Sequence, residues 1–155
     1  TRLLEVQLIA VGRARRGPEQ ALFDHYAGRL RHPFKLIEVE EKRPLTGTEL
    51  QEREAALLLA AVPDGAVVIA LDERGKHLDS PAFAQRLADW RDQGIRTTAI
   101  LIGGADGLTD AVRARADLVL CLGKMTWPHM LVRGLIAEQL YRAQQISAGH
   151  PYHRQ

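Results

Sequence analysis

The apolar residues of this chain gather into five short runs, each separated from the next by a stretch of helical spacing. The runs are "LLEVQLIAVG" (3–12), "FKLIEVE" (34–40), "GAVVIALDERG" (65–75), "TTAILIGG" (97–104) and "DLVLCLG" (117–123). Their middle members are apolar throughout rather than alternating, as in strands covered on both faces. Strands that alternate with helices in this way predict an α/β domain with a mainly parallel sheet flanked by helices. No linker, repeat or low-complexity stretch divides residues 1–155, which predicts a single domain.

The intervening segments carry helix signals. "PEQALFDHYAGRL" (18–30) opens on Pro18 and repeats Leu22, Tyr26 and Leu30 at helical spacing. "TELQEREAALLLAAV" (48–62) begins with Thr48 and Gln51 at capping-box spacing. Ser80 followed by Pro81 predicts a helix start, with Phe83, Leu87 and Trp90 as its apolar stripe and Gly94 as its stop. A short helix is expected over "LTDAVRARA", and a long one from Pro128 to about Ile146. That last helix has two apolar stripes. Val132, Ile136, Leu140, Ala143 and Ile146 form a core stripe; Leu131 and Leu135 continue into Glu138 and Arg142 beside it. A helix with so little solvent face is deeply buried or shared between two chains.

In open α/β sheets ligands sit beyond the carboxyl ends of the strands. Three of those ends carry unusual loops, "LDERGKHLDS", "IGGADGL" and "LGKMTWPH", and the site is expected where they meet. Three glycines in "IGGADG" let backbone approach a ligand closely, or simply turn a strand into a helix; the residues leave both readings open. Neither the dinucleotide nor the Walker pattern is present. Asp72 and Glu73 are neighbours on a strand and so point to opposite faces, and Glu73 reads as a solvated turn. No residues have metal-ligand spacing, and Cys121 lies in an apolar run, where core packing is its expected role.

Net charge is only +2, so an anionic partner needs a local basic patch. The C-terminal part supplies one: from Lys124 onward Arg133, Arg142 and Arg154 face a single acid, Glu138. His129, His150 and His153 are three of the six histidines. Arg142 is read either as an ion pair with Glu138 four residues earlier or as a phosphate or base contact. The tail "HPYHR" is read either as a frayed end or as Tyr152 for stacking, Arg154 for phosphate and His153 as a proton carrier. One cysteine, no signal-peptide plan and no run of the roughly 20 apolar residues a membrane span needs give a cytoplasmic expectation.

"LDERGK", "ILIGGADGL", "MTWPHMLVRGLIAEQLYRA" and the terminal "HPYHR" together resemble the SPOUT class of knotted methyltransferases. Within it they resemble the family that methylates nitrogen 3 of pseudouridine 1915 in 23S rRNA, and the resemblance runs the full length. It implies a C-terminal deep trefoil knot, S-adenosyl-L-methionine as cofactor, and a homodimer. The implied substrate is helix 69 of the assembled ribosome, with no metal and no membrane. Carried over by position, the cofactor residues would be Leu71, Gly103, Gly104, Leu122, Gly123, Lys124, Met125, Thr126 and Trp127. His129, Arg142, His153 and Arg154 would be catalytic, and Arg142, Tyr152 and Arg154 would hold the substrate. His129 and His153 are both candidates for the base that takes the imino proton. Without the resemblance, the glycine loop alone suggests a non-catalytic nucleotide- or phosphate-binding module, and the last helix alone a structural dimerisation protein.

Overall fold

The computed structural model describes residues 4–153. The strands are β1 (Glu5–Val11), β2 (Phe34–Val39), β3 (Val67–His77), β4 (Thr97–Ile102) and β5 (Leu118–Cys121). The helices are α1 (Pro18–Ala27), α2 (Gly47–Ala60), α3 (Ser80–Asp92), α4 (Asp110–Arg115) and α5 (His129–Ser147). The strands form one sheet in the order β2-β1-β4-β3-β5, and every pairing is parallel. The expected α/β architecture is therefore the observed one.

The crossovers obey one rule. α1 and α3 pack with α5 on one face, around Phe23, Phe83, Trp90, Ile136 and Leu140. α2 and α4 cover the other face through Ala55, Leu58 and Val112. Chain direction along the sheet reverses at each step, and the covering face changes with it. Reversing both keeps the hand of every crossover the same, as the preference for right-handed connections requires. Because all strands run one way, their carboxyl ends share one edge. β4, β3 and β5 are neighbours there, so the three unusual loops converge.

Three helix and strand boundaries differ from the sequence expectation, each for a local reason. α2 starts one residue early, after Thr46, and the Thr48–Gln51 capping box does not form. Gln51 instead donates its amide to the carbonyls of Asp106 (2.9 Å) and Leu108 (3.2 Å), tying α2 to the glycine loop. Asp79, not Ser80, caps α3 by accepting from the Ala82 amide at 2.8 Å. Ser80 donates its hydroxyl to Gln139 of α5 at 2.7 Å. β3 does not end at "LDERG". It bulges and then pairs again, so that Leu71 and Lys76 both face Leu120.

Gly75 makes that return possible. A Cβ on it would lie 2.6 Å from the carbonyl carbon and oxygen of Val119 and 2.7 Å from the Leu120 nitrogen. These are backbone atoms of a paired strand and cannot rotate away. Gly75→Ala is expected to lower unfolding stability by about 1–3 kcal/mol, the usual cost of overpacking. A urea midpoint equal to that of the parent protein would show that the bulge does not need glycine.

Candidate functional site

The bulge of β3 and the loops after β4 and β5 enclose a cavity of about 770 Å³. Strand-end side chains Leu71, Ile102, Leu120 and Leu122 give it apolar walls, and the 103–108 and 122–128 loops give it a polar rim. Of the nine cofactor residues implied by the resemblance, eight line it: Leu71, Gly103, Gly104, Leu122, Gly123, Met125, Thr126 and Trp127. Lys124 is exposed and stands outside the lining.

The glycine loop is shaped by contacts beneath it. A Cβ on Gly103 would come within 3.1 Å of the Gly107 backbone, and one on Gly104 within 3.1 Å of both Glu54 carboxylate oxygens. Gly107 takes a φ of +79° and closes the turn by donating its amide to the Gly104 carbonyl at 3.0 Å. On the facing loop, the amides of Lys124, Met125, Thr126 and Trp127 make no hydrogen bond among the described residues. These residues are exposed, so their amides are open to solvent or to a ligand's acceptors. Cys121 is buried as expected and also bends this loop, donating its thiol to the Gly123 carbonyl at 2.9 Å. Met125 (75% exposed) and Trp127 (41%) are the large apolar side chains left open at the cavity mouth. The residues thus offer an apolar slot for a flat ring and free amides for its edge, which fits a nucleoside cofactor.

A second cavity, of about 1060 Å³, adjoins the first and shares Leu120, Cys121, Leu122, Gly123 and Trp127 with it. Arg142, Tyr152 and His153 line it. Arg142 and Glu138 form the expected ion pair, with Nε to Oε1 at 2.8 Å and Nη2 to Oε1 at 2.6 Å. The tail, far from fraying, folds back over this pair. Tyr152 lays its ring 4.8 Å from the Arg142 guanidinium carbon, meets Tyr141 edge-on at 4.9 Å, and donates its hydroxyl to Glu138 at 3.2 Å. Burial, and then the Glu138 carboxylate, push the Tyr152 phenol up to about 12, so it stays protonated near neutrality. Arg142 Nη1 donates to His153 Nδ1 at 3.1 Å. A guanidinium has no acceptor, so Nδ1 presents its lone pair and the ring proton sits on Nε2. Nε2 is buried and unpartnered among the described residues. Arg154 lies outside the described residues. His129, the first residue of α5, lines the first cavity and not the second, so the two candidate bases are placed apart.

Three groups take roles that the sequence did not reveal. Asp72 stands on the wall of the first cavity and accepts from Arg113 Nη1 at 2.9 Å; Arg113 also donates to the Leu108 carbonyl at 3.0 Å. That arginine bridges the β3 bulge and the loop after β4, with Asp72 41 residues away, a separation no local spacing reveals. Glu54 packs under Gly104, and burial together with Asp106 raises its carboxyl above the usual range. Arg133 is 2% exposed. It donates to Glu38 at 2.6 Å and to the Gly12 carbonyl at 3.0 Å. A charge between Val132 and Gly134 in an apolar stretch was the one available signal. Among the described residues no cluster of His, Cys, Asp and Glu could hold a metal, and no helix is long and apolar enough to cross a membrane.

A family model described as a predicted SPOUT methyltransferase matches residues 4–153. The chain is 62% identical over 151 residues to the ribosomal RNA large subunit methyltransferase H of Rhodospirillum centenum, covering 97% of this chain and 99% of that one. It is 61% identical, at the same coverage, to the protein of that name from Paramagnetospirillum magneticum. Among solved structures, a probable methyltransferase from Bordetella pertussis shares the fold at a TM-score of 0.59 and 16% identity, covering 90% of this chain and 96% of that one.

The Glu38–Arg133 pair carries its own pH signature. Burial raises the Glu38 carboxyl, but the Arg133 hydrogen bond, the Ala14 amide and the charges of Arg133 and Arg13 together hold it below its ordinary value. A lowered folded-state value stabilises the protein above the unfolded value and is lost as pH falls through the folded one. Glu38→Gln is expected to cost about 2 kcal/mol at neutral pH, the scale of a hydrogen bond to a charged group. In urea titrations that deficit should shrink below about pH 4, where the parent also loses the carboxylate. A deficit independent of pH would refute the assignment.

Proposed function

The chain belongs to the SPOUT methyltransferase family, and from that premise we propose that it methylates ring nitrogen 3 of pseudouridine 1915, in helix 69 of 23S rRNA, with S-adenosyl-L-methionine as donor. The observation that carries this reading is the pairing of three unbonded amides, of Met125, Thr126 and Trp127, with an apolar slot under the glycine loop. Adenine suits that pairing, with its faces against Leu71 and Leu122 and its edge toward the amides.

When bound, the cofactor supplies a methyl group on a positively charged sulfur. Transfer of that methyl to ring nitrogen 3 would require the imino proton to leave to a base. The chain contributes position first. Trp127 and Met125 at the cavity mouth hold the pyrimidine facing the methyl, and such alignment supplies much of a methyl transfer's rate. Arg142 and Arg154 stabilise the negative charge that grows on the uracil ring as its proton departs. Tyr152 holds the Arg142 guanidinium flat. His153 accepts from Arg142 and helps to hold that guanidinium in place. That leaves His129, on the cofactor side, as the proton acceptor within reach of the first cavity.

The active unit is a homodimer in the cytoplasm, built from one SPOUT unit over residues 1–155. The reading is supported by the face around the second cavity, where Leu22, Tyr26, Leu135 and Gln139 surround the tail cluster in an open bowl. A second copy covering that bowl would bring its tail beside the first copy's cofactor cavity. The proposed trefoil knot lies where residues 71–77, 102–108 and 121–128 converge.

Two measurements test this. Calorimetry should show S-adenosylmethionine binding without added metal, and its absence at millimolar ligand would sink the reading. Removing residues 150–155 should leave that affinity within about twofold. It should lower methylation of large ribosomal subunits by at least about a hundredfold, the scale of losing one charge-stabilising group. Mass spectrometry of the rRNA nucleosides reads the outcome, and a tailless protein that methylates normally would remove the tail from the mechanism.

A further inference from the structure

A third concave surface, of about 460 Å³, lies between the loop after β1 and the start of α5. Arg13, Arg15 and Arg16 line it, all three exposed, with Arg133 at its floor. Glu19 is the one acid in the lining among the described residues. Arg13 reaches Glu40 only at 3.7 Å, and Arg15 and Arg16 make no ion pair among the described residues. Two guanidiniums thus face solvent unneutralised in a protein of net charge +2.

The loop that presents them is pinned. Glu38 accepts the Ala14 amide at 2.6 Å and the Arg133 guanidinium at 2.6 Å, so one carboxylate fixes both the arginine loop and the groove floor. The Gly12 amide donates to the Val39 carbonyl at 2.8 Å. Arg133 is 2% exposed, and its Nε has no partner among the described residues. His129 lines both this groove and the cofactor cavity, so the two are continuous along the start of α5.

From this geometry we infer that the Arg13–Arg16 groove binds the phosphate backbone of the RNA whose base enters the cofactor cavity. The inference deepens the proposed function and rests on it. Guanidinium forks match phosphate oxygens, and several along an open groove suit a polyanion rather than a single small anion. Arginines outnumber the other polar residues that line the groove, which suits holding the strand by its phosphates. It gives the chain RNA-contact surface outside the tail.

The test uses the full chain with Arg15→Gln and Arg16→Gln together, beside Arg15→Lys and Arg16→Lys together. The residues are exposed, so the urea midpoint should not move. For large ribosomal subunits lacking the modification, KM of the glutamine variant should rise at least about tenfold at physiological salt, with kcat at saturation and cofactor affinity within about twofold. For a labelled RNA stem-loop, the slope of log affinity against log salt should become shallower by about 1–2, and the lysine variant should keep the parent slope. An unchanged KM and slope would overturn the inference. So would an equal loss of binding to polyglutamate, which would make the groove a general polyanion site. If the parent protein methylates no ribosomal RNA, the proposed function fails by itself, and the stem-loop slopes still decide whether the groove holds RNA phosphates.

Discussion

The Arg133 guanidinium joins α5 to the sheet. Its donors go to Glu38 at the end of β2 and to the Gly12 carbonyl just past β1. Burying a charge costs several kcal/mol unless its partners are well placed, so this contact exists only with α5 seated in one position. Everything functional hangs from that seat. The loop before α5 roofs the first cavity, His129 stands at the head of the helix, and the same Glu38 also holds the arginine loop through Ala14. Further along, Ile136 and Leu140, each at most 1% exposed, continue the anchoring by apolar burial. Arg142 is thereby fixed one face away, beside the second cavity.

The first cavity is built mainly from backbone. Its glycines are dictated less by a ligand touching them than by what lies beneath: Glu54 under Gly104 and the Gly107 carbonyl under Gly103. Backbone amides in a turn hold their direction without side-chain entropy to lose, so such a site is organised before anything binds. Asp72 and Arg113 add a clamp between two of its three loops. The pair is part-buried and joined to Asp110, a network rather than an isolated surface bridge.

The layout of strands and helices was legible because apolar periodicity is local. "TTAILIGG" declared a strand covered on both faces, and residues 98–102 are buried. The loops that meet at the sheet edge followed from that topology. What stayed hidden was set by partners distant in sequence. Thr48 and Gln51 had the spacing of a capping box, yet Gln51 found better acceptors in the Asp106 and Leu108 carbonyls. Asp79 outcompeted Ser80 as a cap because Ser80 had Gln139 to bond. The β3 bulge depends on how closely Gly75 passes Val119, which no pattern in "LDERGK" expresses. The tail illustrates both limits. Its residue types marked it as chemical and spacing offered the Glu138–Arg142 pair, but only the fold showed Tyr152 laid against that pair.

That arrangement also constrains the proposed chemistry. While Arg142 donates to Nδ1, His153 has no free lone pair, because its other nitrogen carries the proton. In that arrangement it cannot accept the imino proton. Tyr152, with its phenol pushed up to about 12, cannot serve either. Proton removal therefore falls to the cofactor side, where His129 sits, or requires the tail to leave Arg142. In the proposed homodimer that separation would close, with the tail of one copy supplying donors and charge beside the cavity and His129 of the other. The split between two adjoining cavities in one chain is what two half-sites awaiting a partner would look like.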